Sequence, residues 1–182
     1  MNISNHYKSK YIKYKNKYLN TKSNLNPNKA IAFFDGEKIK GIVNFEEISN
    51  EHVLIKINLE GFEPNSVHGF HVHESGDLTY GCDSMCAHFN PYNTLHGGLN
   101  DIIRHVGDLG NLKADNDGKC ITEFTDHMIK LRDGKANIIG RGLIIHADED
   151  DCGKGIYEDS KITGHSGKRI GCAIIGYASI NK

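Results

Sequence analysis

Histidines at close spacing are the first sign of chemistry in this sequence. Residues 67–77 read VHGFHVHESGD, which places His71 and His73 two residues apart in a run of strand-forming residues. Side chains alternate across a strand, so these two imidazoles share the face opposite Phe70 and Val72. Such a pair can supply two ligands to one metal ion. Alone it is weak evidence, because two exposed histidines without a function would match the same pattern.

Further groups of the same chemical kind follow along the chain: His88, His96, His105, Asp108 and His146. Imidazole binds both zinc and copper. An all-nitrogen ligand set favours copper, and histidines with one carboxylate suit a closed structural zinc site. Six histidines and one carboxylate at strand ends and in loops therefore predict metal binding. His68 lies on the face of Phe70, and we expect a core histidine with backbone hydrogen bonds there.

Short strands joined by turns must position these ligands. The sequence has 20 glycines, 3 prolines and no tryptophan, a composition that favours strands and turns over long helices. Residues 52–60 alternate between apolar and polar side chains, as in a strand with one buried face. Eight strands in a β-sandwich or flattened barrel are predicted, at residues 30–34, 39–45, 52–60, 67–73, 109–114, 119–125, 137–146 and 170–179.

Two long segments do not fit the strand pattern. Residues 74–107 and 147–168 are rich in glycine and show no periodicity. Loops of this length are uncommon in a compact domain unless they carry function or are held in order by something else. Most of the candidate ligands fall in or beside these segments, so we expect metal ions to order them.

The chain of 182 residues suffices for one domain and a terminal extension. Residues 1–28 predict a basic extension, which is either a flexible arm or an amphipathic helix that binds another molecule. Residues 1–29 contain seven lysines and no acid, which leaves 15 basic against 23 acidic residues, a net charge of -8, for the remainder. No stretch has the length of a membrane span or the apolar core of a secretory signal, which favours a soluble intracellular protein.

Seven motifs from residue 69 onward carry a resemblance to a known family. They are GFHVHESGD at 69–77, HFNP at 88–91, HGG at 96–98, RHVGDLGN at 104–111, GRGLIIH at 140–146, DDCGKG at 150–155 and KRIGCAIIG at 168–176. In order and spacing, residues 29–182 resemble the copper/zinc superoxide dismutases. The resemblance implies an all-β fold, an eight-stranded antiparallel Greek-key β-barrel with two long functional loops. It also implies dismutation of superoxide to dioxygen and hydrogen peroxide, which protects against oxidative stress.

The resemblance also implies roles for individual residues. His88 would bridge the two metals and carry a proton during the reaction. Asp150 would orient His71 and His96 from behind, and Cys82 and Cys172 would form a disulfide. The implied copper ligands are His71, His73, His88 and His146, and the implied zinc ligands are His88, His96, His105 and Asp108.

A cationic channel for the substrate anion is a further implication of the resemblance. Arg169 matches the family's anion-binding arginine, and Lys154, Lys161 and Thr163 are candidate channel residues. The sequence departs from the family pattern at three nearby positions. Ile162 stands where a channel lysine is usual, Ala87 replaces a common proline, and Cys86 replaces a common glycine, which opens a route to mispairing with the nearby cysteines.

Partners, location and an alternative function complete the expectations. A homodimer is the family's usual assembly, a copper chaperone is a candidate partner, and no motif indicates specific nucleic-acid or membrane binding. The N-terminus resembles the Lys/Tyr/Asn-rich N-termini of giant DNA virus proteins, which implies the host cytoplasm or the virion as locations. The alternative function is a non-catalytic metal-binding or copper-delivery domain on the same fold, a class that commonly lacks copper ligands or the arginine.

Overall fold

Eight strands and almost no helix make up residues 25–180, the part of the chain that the computed structural model describes. The predicted all-β class is confirmed. Most of the predicted N-terminal extension, residues 1–24, lies outside the described residues, as do residues 181–182. The strands are β1 Leu25–Asp35, β2 Lys40–Glu47, β3 Val53–Glu60, β4 Val67–His73, β5 Asp108–Lys113, β6 Lys119–Asp126, β7 Gly142–His146 and β8 Arg169–Ser179.

The strands follow one another in the order β5-β4-β7-β8-β1-β2-β3-β6, and every pairing is antiparallel. Strands β5 and β6 are the two edges of a nearly closed barrel. Strands β4, β5 and β6 follow one another in sequence, and the next strand, β7, crosses back to pair with β4. This is a Greek-key connection. The predicted barrel is thus confirmed, and its topology brings β4 and β7 together as neighbours.

Alternation along the strands builds the core. In β3, Val53, Ile55, Ile57 and Leu59 are buried while the polar residues between them face solvent. Strands β4 and β7 differ, because β4 is buried on both faces from His68 onward and β7 throughout. One face of these two strands packs into the barrel core, and the other is covered by the loops that follow them. This double burial distinguishes the strands that carry the candidate ligands from the ordinary barrel strands.

Two strand boundaries differ from the sequence prediction by more than two residues. Strand β7 begins at Gly142, not at residue 137, because the amide of Ile139 hydrogen-bonds the Asn137 side chain and Gly140 adopts a φ of 82°. Strand β1 begins at Leu25, before the predicted domain start at residue 29. The Asn-Pro-Asn sequence there lies inside β1, where the pairing with β8 shifts register between Asn26 and Ala30. Residues 27–29 interrupt the regular pairing of β1 with β8 there.

Two short helices interrupt the long loops. A 3-10 helix spans Gly81–Met85 in the first loop, and helix α1 spans Ser160–Thr163 in the second. Among the described residues, no helix has the length and apolarity needed to cross a bilayer.

Candidate metal centre

Four buried histidines converge on one face of the antiparallel pair of β4 and β7. His71 and His73 project from β4 on the face predicted from strand parity, and His146 ends β7. His88 comes from the first long loop and forms an isolated antiparallel bridge with His73. One ring nitrogen from each of the four lies within 4.8 Å of the others. We call this set the four-histidine group.

Hydrogen bonds from the protein fix the tautomers of three of these rings. His73 Nδ1 lies 2.9 Å from the Cys86 carbonyl, His146 Nδ1 lies 3.1 Å from the Gly167 carbonyl, and His71 Nε2 lies 2.7 Å from Asp150 Oδ2. Those oxygens only accept, so each of these nitrogens donates its proton outward. The opposite nitrogens therefore point inward as lone pairs. Two of them, His73 Nε2 and His146 Nε2, lie 3.4 Å apart, an arrangement that a shared cation would stabilise.

A second group lies beside the first and shares His88 with it. His88, His96, His105 and Asp108 each place one ligand atom within 4.8 Å of the others. Asp108 is at the centre: its Oδ1 is 3.0 Å from His88 Nδ1 and 3.1 Å from His105 Nδ1, and its Oδ2 is 3.0 Å from His96 Nδ1. We call this set the His/Asp group. Because His88 presents one nitrogen to each group, a single imidazole connects the two.

Asp150 links the groups from behind. Its Oδ2 accepts from His71 Nε2, and its Oδ1 accepts from His96 Nε2 at 2.8 Å. Asn111 fixes the backbone of Asp150 through two hydrogen bonds of 2.8 Å each. Gly164 packs against the same carboxylate, with a φ of 66°, and a Cβ atom there would collide with Asp150 Oδ1. Asp150 is thus positioned to orient one imidazole of each group.

Unsatisfied buried nitrogens show that these residues fit metal ions. His71 Nδ1, His88 Nε2 and His96 Nδ1 are fully buried and make no hydrogen bond to any residue in the described range. His96 Nδ1 is close to Asp108, but the geometry is not that of a hydrogen bond. Native proteins rarely leave such groups without a partner. The four-histidine group has the all-imidazole donors that suit copper, and the His/Asp group has the donors of a closed zinc site.

Burial keeps the four-histidine group neutral. Burial is the main cause that lowers the pKa of His71 to about 3 and the pKa of His146 to about 4, and the neighbouring His88 lowers both values further. The pKa values of His73 and His88 are also lowered, chiefly by burial. A neutral imidazole is the form that binds a metal, so this group is prepared for a cation at neutral pH.

The His/Asp group, in contrast, contains charged side chains at neutral pH. Burial alone would lower the pKa of His96, but its close contact with Asp108 and its hydrogen bond with Asp150 outweigh burial and raise the pKa to about 9. Burial would raise the pKa of Asp108, and its contacts with His105, His88 and His96 instead lower it well below the usual range. The group thus combines a carboxylate with a positively charged imidazole, and a divalent cation would displace the proton of His96.

Comparison with known proteins agrees with this geometry. The sequence model of the family described as "Copper/zinc superoxide dismutase (SODC)" matches residues 39–175. The chain belongs to the copper/zinc superoxide dismutase family. A "Superoxide dismutase [Cu-Zn]" of Paramecium bursaria Chlorella virus 1 is 57% identical over 155 residues, which cover 85% of this chain and 81% of that protein.

Other dismutase relatives and a solved structure extend the match. "Superoxide dismutase [Cu-Zn] 5" of Dictyostelium discoideum is 47% identical over 83% of this chain and 99% of its own length. The crystal structure of the clock protein EA4 superimposes with a TM-score of 0.81 at 41% identity, covering 84% of this chain and 96% of that one. The likeness to dismutases therefore covers the barrel and both long loops.

Arg169 is the cation beside the four-histidine group. It begins β8, opposite His146, and its guanidinium donates to three backbone carbonyls. Nη1 is 2.7 Å from the Cys82 oxygen and 3.3 Å from that of Asp83, and Nη2 bonds the Cys86 oxygen. Its charge also contributes to the lowered pKa values of His73 and His146, after burial.

The other predicted channel residues lie on the second long loop. Lys154 is exposed and forms an ion pair with Asp101, 3.2 Å from Oδ2. Lys161 is exposed in α1, and its carbonyl accepts a hydrogen bond from the His96 amide. Thr163 is half-buried, and its hydroxyl lies 3.3 Å from both the backbone and the side chain of Asp159. None of the three is buried with the histidines, so they belong to the rim.

A disulfide ties the first long loop to β8. Cys82 and Cys172 are bonded, with Cα atoms 5.5 Å apart and a sequence separation of 90. This is the pair that the dismutase resemblance implies. All five cysteines lie in the described part of the chain, and the other three are the exposed Cys86, the buried Cys120 and the half-buried Cys152. Cys120 packs within the hydrophobic core.

Several groups that hold the site together escaped the sequence analysis. The carbonyls of Cys86 and Gly167 orient two histidines, and a backbone oxygen leaves no signature in residue type. Buried Arg104 forms an ion pair with Asp126 and donates to the Asp108 carbonyl at 2.8 Å. The RHVGD motif contained this arginine, but nothing in the sequence indicated that it was buried. His68, in contrast, makes the expected core contacts, 2.7 Å from the His146 carbonyl and from Ser66 Oγ.

Proposed function

We propose that the chain is a superoxide dismutase, which converts two superoxide anions and two protons into dioxygen and hydrogen peroxide. Copper is assigned to the four-histidine group, His71, His73, His88 and His146, and zinc to the His/Asp group, His88, His96, His105 and Asp108. The observation that carries this proposal is the sharing of His88 between two buried groups whose lone pairs converge. When bound, copper supplies one-electron redox chemistry, and zinc supplies a fixed charge without redox chemistry.

The protein's own residues would bind the substrate and supply a proton. The guanidinium of Arg169 uses backbone carbonyls as acceptors. Within residues 25–180 no carboxylate pairs with it, so it can attract an anion. His88 Nε2 faces the four-histidine group and makes no hydrogen bond among the described residues, so it can take up a proton and donate it to the reduced substrate. The other ring nitrogen of His88 is held by Asp108.

Smaller contributions from Lys154, Lys161 and Thr163 fit the same proposal. Superoxide must approach a folded part whose net charge is negative, so local positive charge is needed. Lys154 is partly neutralised by Asp101. Exposed Ile162 adds no charge in the usual lysine slot. Arg169 therefore carries the larger share of anion attraction.

Activity and metal content together test the proposal. The chain loaded with copper and zinc should consume superoxide with a second-order rate constant near the diffusion limit, about 10⁸ to 10⁹ M⁻¹s⁻¹. His146→Ala should lose copper and activity while it retains zinc, because His146 belongs only to the four-histidine group. His127→Ala removes an exposed histidine outside both groups and is the matched control. Equal activity in the wild type and His146→Ala would refute the enzymatic role.

The alternative is a non-catalytic metal-binding or copper-delivery domain. The presence of every implied copper ligand and of Arg169 supports the enzyme instead. A delivery domain would release copper to an acceptor protein and would show no superoxide consumption when loaded.

A homodimer is proposed as the assembly. An apolar concavity between β1, β8 and the first long loop supports it, because Phe33, Leu78 and Ile174 line it and remain exposed in the single chain. A second copy of this face would cover these side chains. Phe33→Glu with Ile174→Glu should halve the mass measured by light scattering. A wild-type monomer would contradict the dimer.

Division of the chain and its location complete the proposal. We assign residues 1–28 to an extension and residues 29–182 to the dismutase domain. We also propose that the protein has a viral source and acts in the host cytoplasm or the virion. The chlorella virus relative supports the viral source. Detection of the protein in fractions of infected cells and in purified virions tests the location. Full activity after removal of residues 1–28 tests the division, and removal of residues 1–24, which keeps all of β1, is the control.

A further inference from the structure

Three cysteines meet where the first long loop contacts β8. Cys82 and Cys172 form the disulfide, and Cys86 follows Cys82 by four residues, at the end of the 3-10 helix Gly81–Met85. Its thiol is exposed, and its Sγ lies 3.7 Å from the Ser84 carbonyl. The sulfur thus folds back over the helix that carries Cys82. An exposed thiol therefore lies in the same short segment as one half of the disulfide, four residues after Cys82.

The backbone of Cys86 has an unfavourable conformation. Its φ of 61° and ψ of -151° fall in a region that glycine occupies readily and other residues rarely do. The copper/zinc superoxide dismutases commonly have glycine at this position, and glycine suits this backbone conformation better than cysteine does. Residues held in such conformations concentrate at functional sites and switch regions.

The carbonyl of Cys86 connects this conformation to the metal centre. It accepts a hydrogen bond from His73 Nδ1 at 2.9 Å and another from Arg169 Nη2. The second terminal nitrogen of Arg169 bonds the Cys82 carbonyl at 2.7 Å. The segment from Cys82 to Cys86 therefore orients both a histidine of the four-histidine group and the anion-binding guanidinium.

We infer that Cys86 performs an internal thiol–disulfide exchange that switches this segment. The Cys86 sulfur forms a bond to Cys82 Sγ while the bond between Cys82 and Cys172 breaks. The Cys172 sulfur leaves with the electron pair and takes up the proton that Cys86 releases. One disulfide and one thiol are present before and after, so no oxidant or reductant is consumed.

The new pairing would release Arg169. Four residues along a 3-10 helix rise about 8 Å, whereas a disulfide needs Cα atoms within about 7 Å. A bond between Cys82 and Cys86 therefore requires the 81–85 helix to rearrange, which moves the three carbonyls that hold the guanidinium. The tether between the loop and β8 is lost in the same step. The effect on activity rests on the proposed role of Arg169, but the exchange itself does not.

Peptide mapping of the full, metal-loaded chain tests the exchange. The oxidised protein is incubated without added thiol, alkylated with N-ethylmaleimide and digested with trypsin. In the native pairing, peptide 57–104 remains linked to peptide 170–182. After exchange, peptide 57–104 closes on itself and Cys172 is alkylated. Cyanogen bromide cleavage at Met85, between Cys82 and Cys86, gives two fragments that only the new disulfide holds together.

Three variants decide the outcome. Cys172 alkylation should fall at least about ten-fold in Cys86→Ser, because the attacking sulfur is absent. Cys86→Gly removes the same sulfur and suits the backbone conformation, so it reports the same loss if serine impairs folding. Cys152→Ser removes another thiol and should exchange like the wild type. Equal Cys172 alkylation in wild type and Cys86→Gly, or a Cys86 to Cys172 bond instead, would overturn the inference.

The same samples separate the switch from the proposed function. The masses of the alkylated peptides report the exchange, whatever the protein catalyses. In an active protein, dismutation should fall in proportion to the exchanged fraction. An inactive loaded protein that still exchanges would refute the dismutase role and leave the switch standing.

Discussion

At the scale of single residues, the bonding of Arg169 explains how one guanidinium can serve an anion. Its partners are the backbone oxygens of Cys82, Asp83 and Cys86, which accept hydrogen bonds without cancelling the charge. An ion pair with a carboxylate would fix the side chain equally well and would repel superoxide. The planar fork of arginine matches this set of acceptors, and a lysine ammonium would not.

We expect Arg169→Lys to lower the superoxide rate constant about ten-fold and Arg169→Gln to lower it further, within the range of about 10 to 10³ that steering provides. Lysine keeps the charge but loses the fork, and glutamine loses both. Superoxide decay followed by stopped flow at several ionic strengths measures this, and the salt dependence should weaken in Arg169→Gln. Arg132→Gln, at an exposed arginine paired with Glu47, is the control. A wild-type rate in Arg169→Gln would contradict the assignment.

Asp150 acts on both groups, through hydrogen bonds and through its negative charge. Asparagine there could accept from only one of His71 and His96, because its amide nitrogen donates. We expect Asp150→Asn to weaken both copper and zinc binding, each about 10- to 100-fold. Chelator competition measures both affinities. Glu149→Gln makes the same carboxylate-to-amide change at the exposed neighbour of Asp150 and should leave both metal affinities unchanged. Weaker binding of only one metal in Asp150→Asn would limit the role of Asp150 to one group.

At the scale of elements, buried Arg104 and Asp126 join the loop of the His/Asp group to the end of β6. Arg104 donates to the Asp108 carbonyl, and Asp126 Oδ1 accepts from the amides of Met128 and Ile129, each at 2.8 Å. Both side chains are almost fully buried. The removal of one charge would leave the other buried without its partner, which is far more costly than the loss of an exposed pair.

Asp126→Asn should therefore destabilise the metal-free protein by about 3 to 5 kcal/mol. Urea denaturation provides the free energy of unfolding. The control is Glu123→Gln, also on β6, which breaks an exposed pair with Lys56 of β3 and should cost about 1 kcal/mol or less. Similar losses in the two variants would show that the buried pair has no special structural role.

Elements with a regular pattern were predictable from sequence, and those fixed by tertiary contacts were not. The alternation in β3 and the parity of His71 and His73 follow from local geometry, so the predicted faces match the structure. The 3-10 helix Gly81–Met85 has no periodic signal, because the disulfide and the clamp on Arg169 hold it in place. The ligands themselves were found by residue type, but the carbonyls that orient them could not be.

At the scale of the whole molecule, the fold concentrates neutral histidines in its interior, and this couples stability to pH. The folded pKa values of His71 and His146 lie at about 3 and 4, below the ordinary value of 6.5, chiefly because of burial. Between pH 6.5 and 4 the unfolded chain binds protons that the folded chain does not. His96, with its pKa raised to about 9, is protonated in both states over this window and adds no slope.

Stability of the metal-free protein should therefore fall as pH is lowered from 6.5 toward 4, by about 1.4 kcal/mol per pH unit for each such histidine. Asp108 and Asp150 do not oppose this, because their pKa values are lowered and their contribution is lost only below the ordinary value of 3.8. Urea denaturation at pH 6.5, 5.5 and 4.5 measures the slope. His146→Gln removes one titrating group and should reduce the slope by about one proton. A stability that rises on acidification, or an unchanged slope in His146→Gln, would contradict the neutral state of the four-histidine group.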